Sequence, residues 1–151
     1  MKRTGKKLVL KGQVTMSSYN QDYNRIQLFD GRFTTGYRIT EFRICPSQPT
    51  NSEEIVSTLT SEPLSGVPST LDFGLNTLQA VSIYNAPNQT EHSEWKLIVS
   101  DNMVIEDLWI AFYTSGDDTL CNYYIELEQY SFPAWTGAAT LVENLSQGGP
   151  Q

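Results

Sequence analysis

Val104-Ile-Glu-Asp-Leu-Trp-Ile-Ala-Phe-Tyr113 and Cys121-Asn-Tyr-Tyr-Ile-Glu-Leu-Glu-Gln-Tyr-Ser-Phe132 are the stretches that decide the fold class of this 151-residue chain. Between Leu108 and Tyr113 every residue is apolar or aromatic, which predicts a strand that is covered on both faces. In the second stretch apolar residues alternate with Glu126 and Glu128, the period of a strand with one buried and one solvated face. The turn-rich segment 114–119 between them predicts a β-hairpin.

The remainder of the chain repeats this pattern of short apolar alternations separated by Gly, Pro, Asn and Asp. Eight or nine short strands at spacings of about 8–12 residues predict an all-β, antiparallel sandwich or barrel. The predicted strands cover residues 7–16, 25–29, 33–45, 53–60, 71–73, 78–84, 95–99, 104–113 and 121–132.

One of these predicted strands changes parity in its middle. Tyr37 and Ile39 fall on one face of the strand, whereas Phe42 and Ile44 fall on the other. A slip of one residue moves every later side chain to the opposite face, and a β-bulge produces such a slip.

Composition predicts a single soluble domain. The chain is 39% apolar and 11% aromatic, and no apolar run approaches the roughly 20 residues that a membrane-spanning helix needs. We therefore expect no membrane partner and no secretory signal. Cys45 and Cys121 are too sparse for a disulfide scaffold and predict two buried thiols.

Charge is divided unequally along the chain, although the net charge is −7. Residues 1–43 hold nine of the ten Lys and Arg against three acids, a net charge of +6, whereas residues 44–151 hold one against fourteen, a net charge of −13. We predict a basic N-terminal arm at 1–11 that contacts phosphate or an acidic neighbouring subunit, although such termini often only aid solubility. Its cationic residues are Lys2, Arg3, Lys6, Lys7 and Lys11.

The domain organisation follows from these patterns. After the arm, residues 12–132 form the predicted β-sandwich domain and 133–151 a C-terminal segment, which is predicted to be a short helix at 136–146 or a tail. This helix would have one apolar face and is too short to be stable alone, so it must pack against something. We predict interface residues here: Trp135, Leu141, Val142 and Leu145.

No motif for enzymatic chemistry stands out. His92 is the only histidine and neither cysteine lies in a nucleophile motif, so we predict a protein that is not an enzyme and holds no metal or cofactor. Calcium binding in the loops at Asp101 or Asp117 is a weaker hypothesis, because Asp is also a common turn residue. Glycosidase chemistry at Glu126 and Glu128 is weaker too, because a solvated strand face also carries such carboxylates.

Aromatic residues leave a binding function open. Trp95 and Trp109 share strand faces with apolar neighbours and are predicted to lie in the core, whereas Trp135 is the tryptophan we expect to be exposed. Exposed aromatic rings on a sandwich suit carbohydrate stacking. A β-sandwich module for carbohydrate or host attachment is therefore the alternative function.

Three segments carry a resemblance to a known group of proteins. Residues 28–42, 101–110 and 122–130, the last of which reads Asn122-Tyr-Tyr-Ile-Glu-Leu-Glu-Gln-Tyr130, resemble virion proteins of small marine viruses and phages. The last segment also resembles the terminal strand of single jelly-roll capsid proteins.

This resemblance implies a jelly-roll-like sandwich that self-assembles in the virion as a capsid or capsid-associated subunit. Its partners would be copies of itself and other virion proteins, and its arm could make non-specific contacts with nucleic acid. The size of the chain also fits a minor, vertex or decoration subunit.

Overall fold

The computed structural model describes residues 2–15, 22–49, 53–63, 71–88, 91–99, 102–114 and 120–133. This part of the chain contains eight β-strands and no helix, so the predicted all-β class is confirmed. The helix predicted at 136–146 lies outside the described residues. The strands are β1 (Lys2–Thr15), β2 (Asp22–Ile26), β3 (Thr35–Pro46), β4 (Glu53–Thr60), β5 (Leu78–Asn88), β6 (Glu91–Ile98), β7 (Leu108–Thr114) and β8 (Leu120–Ser131).

The strands form two sheets in which every pairing is antiparallel. The three-stranded sheet has the order β1-β8-β3, and the five-stranded sheet has the order β2-β7-β4-β5-β6. The prediction of an antiparallel architecture is therefore confirmed.

A single main core joins the two sheets. Ile125 and Leu127 of β8 are fully buried in the same cluster as Ile55 of β4 and Phe112 of β7. Removing a large apolar side chain of this kind from water contributes about 1.5–3 kcal/mol. Burial of inward-facing residues from both sheets is what holds the sheets together, as in a β-sandwich.

The predicted hairpin between β7 and β8 is wrong, although both strands are present. Leu108–Thr114 pairs with β2 and β4, whereas Leu120–Ser131 pairs with β1 and β3 of the other sheet. The chain therefore crosses between sheets after residue 114. Alternation in the sequence identifies a strand and its buried face, but the partner of a strand depends on contacts with residues that are distant in sequence.

The face pattern of these two strands agrees with the prediction. In β8, Ile125 and Leu127 are buried while Glu126 and Glu128 lie on the opposite face. In β7, Phe112 points into the core and the neighbouring Ala111, on the other face, is also only 2% exposed. The continuous apolar run thus belongs to a strand with buried residues on both faces.

The predicted parity change in β3 is a β-bulge. Ile39 pairs with Leu127 and Glu41 pairs with Glu126, so Thr40 is the extra residue. The Thr40 hydroxyl donates to the Glu126 carbonyl oxygen at 3.2 Å. Because of the bulge, Ile39 and Phe42 both face the core.

The basic segment at the N-terminus is part of the three-stranded sheet. β1 is continuous from Lys2 to Thr15, so residues 2–11 of the predicted arm and the start of the predicted sandwich domain at residue 12 belong to one strand. Its register against β8 shifts between Arg3 and Lys7, next to Gly5, whose positive φ of 79° suits glycine. β1 is therefore an extended edge strand of the sheet.

Three boundaries differ from the sequence prediction. The predicted strand at 71–73 is a turn, in which the Asp72 carboxylate accepts a hydrogen bond from the Gly74 N–H. The predicted strand at 95–99 begins earlier, because β6 starts at Glu91. The predicted strand at 25–29 ends at Ile26, because the N–H groups of Leu28 and Phe29 donate to the Asp107 carboxylate instead of to a neighbouring strand.

Candidate functional site

The outer face of the three-stranded sheet brings together charged side chains from three strands. Strand register places Glu128 of β8 between Lys7 of β1 and Arg38 of β3. Tyr124 lies in the same way between Lys11 and Arg43. Residues that are directly opposite in adjacent strands point to the same side. We call this surface the charged face.

One cation of the predicted arm has a partner within the chain. Arg3 donates from Nη2 to Glu128 Oε1 at 2.5 Å. The four lysines form no ion pair with another described residue, and their side chains are exposed. These ammonium groups are oriented toward solvent and can reach an external anion: Lys2, Lys6, Lys7 and Lys11.

A shallow depression of about 430 Å³ lies on the charged face, lined by Glu41, Arg43, Tyr124 and Glu126. The Tyr124 hydroxyl donates to Glu126 Oε1 at 2.8 Å, and this hydrogen bond raises the pKa of Tyr124 above its ordinary value. Cations and anions thus alternate in and around the depression. Such a surface is suited to contact with another charged surface.

A cation from the other sheet also reaches this depression. Lys96 of β6 donates to Glu41 Oε1 at 2.5 Å, and Arg43 Nε lies 3.6 Å from the same oxygen. The hydrogen bond from Lys96 is the main reason that the pKa of Glu41 lies below its ordinary value. This ion pair connects the edge strand β6 to the edge strand β3.

Exposed aromatic residues form a second surface, which sequence reasoning missed. The Phe73 and Trp95 rings are stacked with centroids 5.8 Å apart and planes 7° apart, and they are 56% and 47% exposed. Leu75 is a further exposed apolar residue, at 37%. We call these three residues the aromatic patch. The prediction of a core position for Trp95 is wrong, because its parity in β6 places it on the outside of the five-stranded sheet.

A third cluster surrounds the carboxylate of Asp107. The Leu28 and Phe29 N–H groups donate to its Oδ1 at 2.9 and 3.1 Å, and Arg25 Nε donates to Oδ2 at 2.6 Å. Burial raises the pKa of Asp107, but these hydrogen bonds outweigh it and the pKa lies below its ordinary value. The carboxylate fixes the chain after β2 against the start of β7, which is a structural task.

A small cavity of about 230 Å³ lies next to this carboxylate. Phe29 and Trp109 form its apolar sides, and Ser61 and Glu106 add polar groups. Because Arg25 and Asp107 pair with each other in its wall, their charges are largely satisfied within the chain.

The remaining candidates from the sequence fall into two groups. Cys121 is buried as predicted, but Cys45 is exposed, so the prediction of two buried thiols is wrong for Cys45. In the register of β3 and β8, Cys45 lies opposite Asn122, so the two cysteines point to opposite faces of the sheet. The predicted interface residues lie outside the described residues: Trp135, Leu141, Val142 and Leu145.

Two further properties concern the described part of the chain. It contains no cluster of three or more His, Cys, Asp or Glu side chains able to hold a metal ion. It also contains no helix with the length and apolar character needed to span a bilayer.

Comparison with known proteins gives no match: no protein-family model matches this chain, and no curated protein matches it at a significant level.

Proposed function

We propose that this chain is a virion structural protein, a capsid or capsid-associated subunit that self-assembles, and that its sandwich is a variant of the jelly roll. The observation that carries the proposal is the strand order. An eight-stranded jelly roll alternates between two sheets, so that strand 1 lies beside strand 8 and strand 2 beside strand 7.

The strand order of this chain supports the jelly-roll proposal at all but one position. Strands β1, β8 and β3 follow each other as a jelly roll requires, and so do β2, β7, β4 and β5. The departure is β6, which pairs with β5 instead of β3. The Lys96–Glu41 ion pair nevertheless keeps β6 close to β3.

Self-assembly draws support from the surfaces that the fold exposes. β1 is a long edge strand with a cationic row, and the charged face presents both signs of charge to a neighbour. Sheet edges and charge-complementary faces are the parts of a sandwich that repeated subunits can share. Size, resemblance and charge are compatible with a major, minor, vertex or decoration subunit.

Particle formation tests this function. Purified full-length protein is examined by light scattering and negative-stain electron microscopy over a range of protein and salt concentrations, alone and with nucleic acid. We expect closed oligomers or particles, and mass spectrometry of purified virus particles should identify the chain. A protein that stays monomeric under every condition and is absent from particles contradicts the proposal.

A module for carbohydrate or host attachment is the second candidate, because the aromatic patch offers two parallel exposed rings. Screening on a glycan array tests it. The candidate requires binding that Trp95→Ala abolishes and that the matched control Leu120→Ala, another exposed apolar residue, leaves unchanged. Absence of any glycan signal removes this candidate.

A further inference from the structure

Strand β1 leaves one of its two edges open. It pairs with β8 along one side, and among the described residues it has no strand partner on the other side. In an edge strand, every second residue directs its backbone N–H and C=O groups away from the sheet, where another strand can pair with them. β1 is 14 residues long, so its open edge can pair with a whole strand.

The inner face of β1 is only partly covered. Leu8, Leu10 and Val14 pack against the main core, but each keeps part of its side chain accessible to solvent. In the neighbouring strand β8, by contrast, Ile125 and Leu127 are fully buried. A strand added beside β1 would cover more of the three partly exposed side chains, and burial of that apolar surface would favour association.

The outer face of β1 carries two cations with an apolar residue between them. Lys7, Val9 and Lys11 follow one another on this face, because side chains alternate along a strand. Both lysines are exposed without an ion pair to another described residue, and Val9 is 46% exposed. An added strand would place its own side chains directly opposite this row. The row therefore favours carboxylates opposite the lysines and a β-branched residue opposite Val9.

β8 shows the kind of strand that β1 accepts as a neighbour. Glu128 lies opposite Lys7, and Leu127 lies opposite Leu8. Carboxylate and apolar side chains of β8 thus meet cationic and apolar side chains of β1, and Arg3 also donates to Glu128 Oε1. A second strand with a similar alternation would repeat these contacts on the open edge.

Charge decides which strand can occupy this edge. β1 of a second copy would bring lysines against lysines, and cations on an edge strand are a common means of preventing such self-pairing. β8 of a second copy is already paired on both sides. None of the other edge strands, β2, β3 and β6, carries two carboxylates on one face. An extended acidic segment of a different protein meets none of these objections.

We infer that the open edge of β1 binds an extended segment of a different protein by strand addition. The segment has carboxylates four residues apart on one face and apolar side chains on the other. Backbone hydrogen bonds supply affinity, and carboxylates that face Lys7 and Lys11 supply specificity. This inference goes beyond the proposed function, because a strand can be added to β1 whether or not the chain assembles.

A synthetic peptide with this pattern provides the test. The peptide acetyl-Thr-Val-Glu-Val-Thr-Val-Glu-Val-Thr-amide carries a fluorophore and is titrated with the full-length protein while fluorescence anisotropy is measured. We expect saturable binding. The matched peptide with Lys in place of both Glu should bind at least about tenfold more weakly, because its ammonium groups would face the lysines of β1. Equal affinity for the two peptides would overturn the inference.

Variants of the protein locate the contact. Lys7→Gln with Lys11→Gln should weaken binding of the acidic peptide about tenfold and reduce its dependence on salt concentration. The matched control is Arg32→Gln with Arg43→Gln, which removes two exposed cations outside β1 and should change the affinity by less than about twofold. Circular dichroism checks that both variants are folded.

N-methylation of the peptide separates strand addition from simple attraction between charges. A methyl group on a backbone nitrogen removes one hydrogen-bond donor, and in an antiparallel pair only alternate residues direct their N–H groups to the neighbouring strand. We expect methylation of one alternate set of nitrogens to abolish binding and methylation of the other set to leave it largely intact. Two methylated peptides that both bind like the parent would overturn strand addition.

The remaining outcomes identify other occupants of the edge. Binding of a single-stranded oligothymidylate but of no acidic peptide would assign the cations to phosphate and overturn the inference. A fall in the bound fraction of peptide at the highest protein concentrations would show that a second copy takes the edge, which overturns it as well. A protein that binds the peptide but never assembles contradicts the proposed function alone, and one that assembles but binds no peptide contradicts the inference alone.

Discussion

Lys96 and Glu41 form an ion pair between the edge strands of two different sheets, with Nζ 2.5 Å from Oε1. β6 and β3 have no hydrogen-bonded ladder between them in the described residues, so this ion pair is a side-chain connection between the two edge strands. The side chains are 44% and 22% exposed, and solvent therefore screens much of the attraction.

Breaking this pair should have a small effect on stability. In a double-mutant cycle of Lys96→Met and Glu41→Gln, we expect a coupling free energy below about 1 kcal/mol at neutral pH. The pKa of Glu41 is lowered in the folded state, so the coupling is present above its unfolded pKa of about 4.3 and is lost as the pH falls through the lower folded value. Urea denaturation measures the cycle. A coupling that does not weaken as the pH is lowered through this range would contradict an ionic contact.

Replacing Asp107 should be more costly. Asp107→Asn removes the charge that accepts hydrogen bonds from Leu28, Phe29 and Arg25, and we expect a loss of about 1–3 kcal/mol in the free energy of unfolding. Because the folded pKa lies below the unfolded one, the advantage of the wild type holds above about pH 4 and disappears as the pH falls through the folded pKa.

A matched control for that variant is Asp30→Asn. Asp30 also accepts a backbone hydrogen bond, from the Arg32 N–H at 2.9 Å, but it lies in an exposed turn. We expect a change of no more than about 0.5 kcal/mol. Equal losses at the two positions would show that burial of the Asp107 carboxylate has no energetic weight.

Gly36 of β3 lies close to a second apolar cluster, which is formed by the buried residues Met103, Ile105 and Phe132. A Cβ there would lie 2.8 Å from Met103 Sδ and 3.0 Å from Phe132 Cε1. Gly36→Ala should therefore destabilise the protein by about 1–3 kcal/mol, whereas Gly74→Ala, in an exposed turn, should cost less. In combination with Met103→Ala, the penalty at Gly36 should shrink. Thermal or urea unfolding would reject the steric explanation if the two changes were additive.

The effect of the lysine charges of β1 can be tested without removing the strand. Changing Lys2, Lys6, Lys7 and Lys11 to Gln should alter stability by less than about 1 kcal/mol, since all four are exposed. It should reduce assembly or the retention of nucleic acid, and weaken the salt dependence of either. Sedimentation and ultraviolet absorbance of the particles measure both. Unchanged particle yield and nucleic-acid content would remove any role for these cations.

Deletion of residues 1–11 is a different experiment. From the sequence alone, this deletion is predicted to leave the sandwich folded. In the structure it removes most of β1 and exposes the edge of β8 from Tyr124 to Ser131, so we expect loss of stability as well as loss of assembly. Denaturation curves of the deletion and the Gln variant distinguish the two effects.

The sequence predicts properties that depend on neighbouring residues. The alternation of β8 and the parity change at Ile39 and Phe42 are both visible in the structure, because the side-chain period of a strand is local. The class of fold follows from the same signal.

Properties that depend on distant pairing could not be predicted. β7 and β8 look like a hairpin in the sequence, yet each pairs with strands far from it in the chain. Trp95 alternates like a core residue, but alternation does not say which of its two faces is outside. Asp107 and Arg25 are 82 positions apart in the sequence, and no local pattern predicts their contact.

The charged face has a further consequence for how copies can stack. Its central strand carries Glu126 and Glu128, with cations such as Lys7 and Arg38 on the strands to either side. Two such faces laid in direct alignment would oppose like charges, whereas a sideways displacement by one strand spacing, about 4.8 Å, would bring unlike charges together. Glu41 on β3, opposite Glu126, interrupts this pattern at one position. If two copies stacked through this face, the charges would favour an offset arrangement over an aligned one.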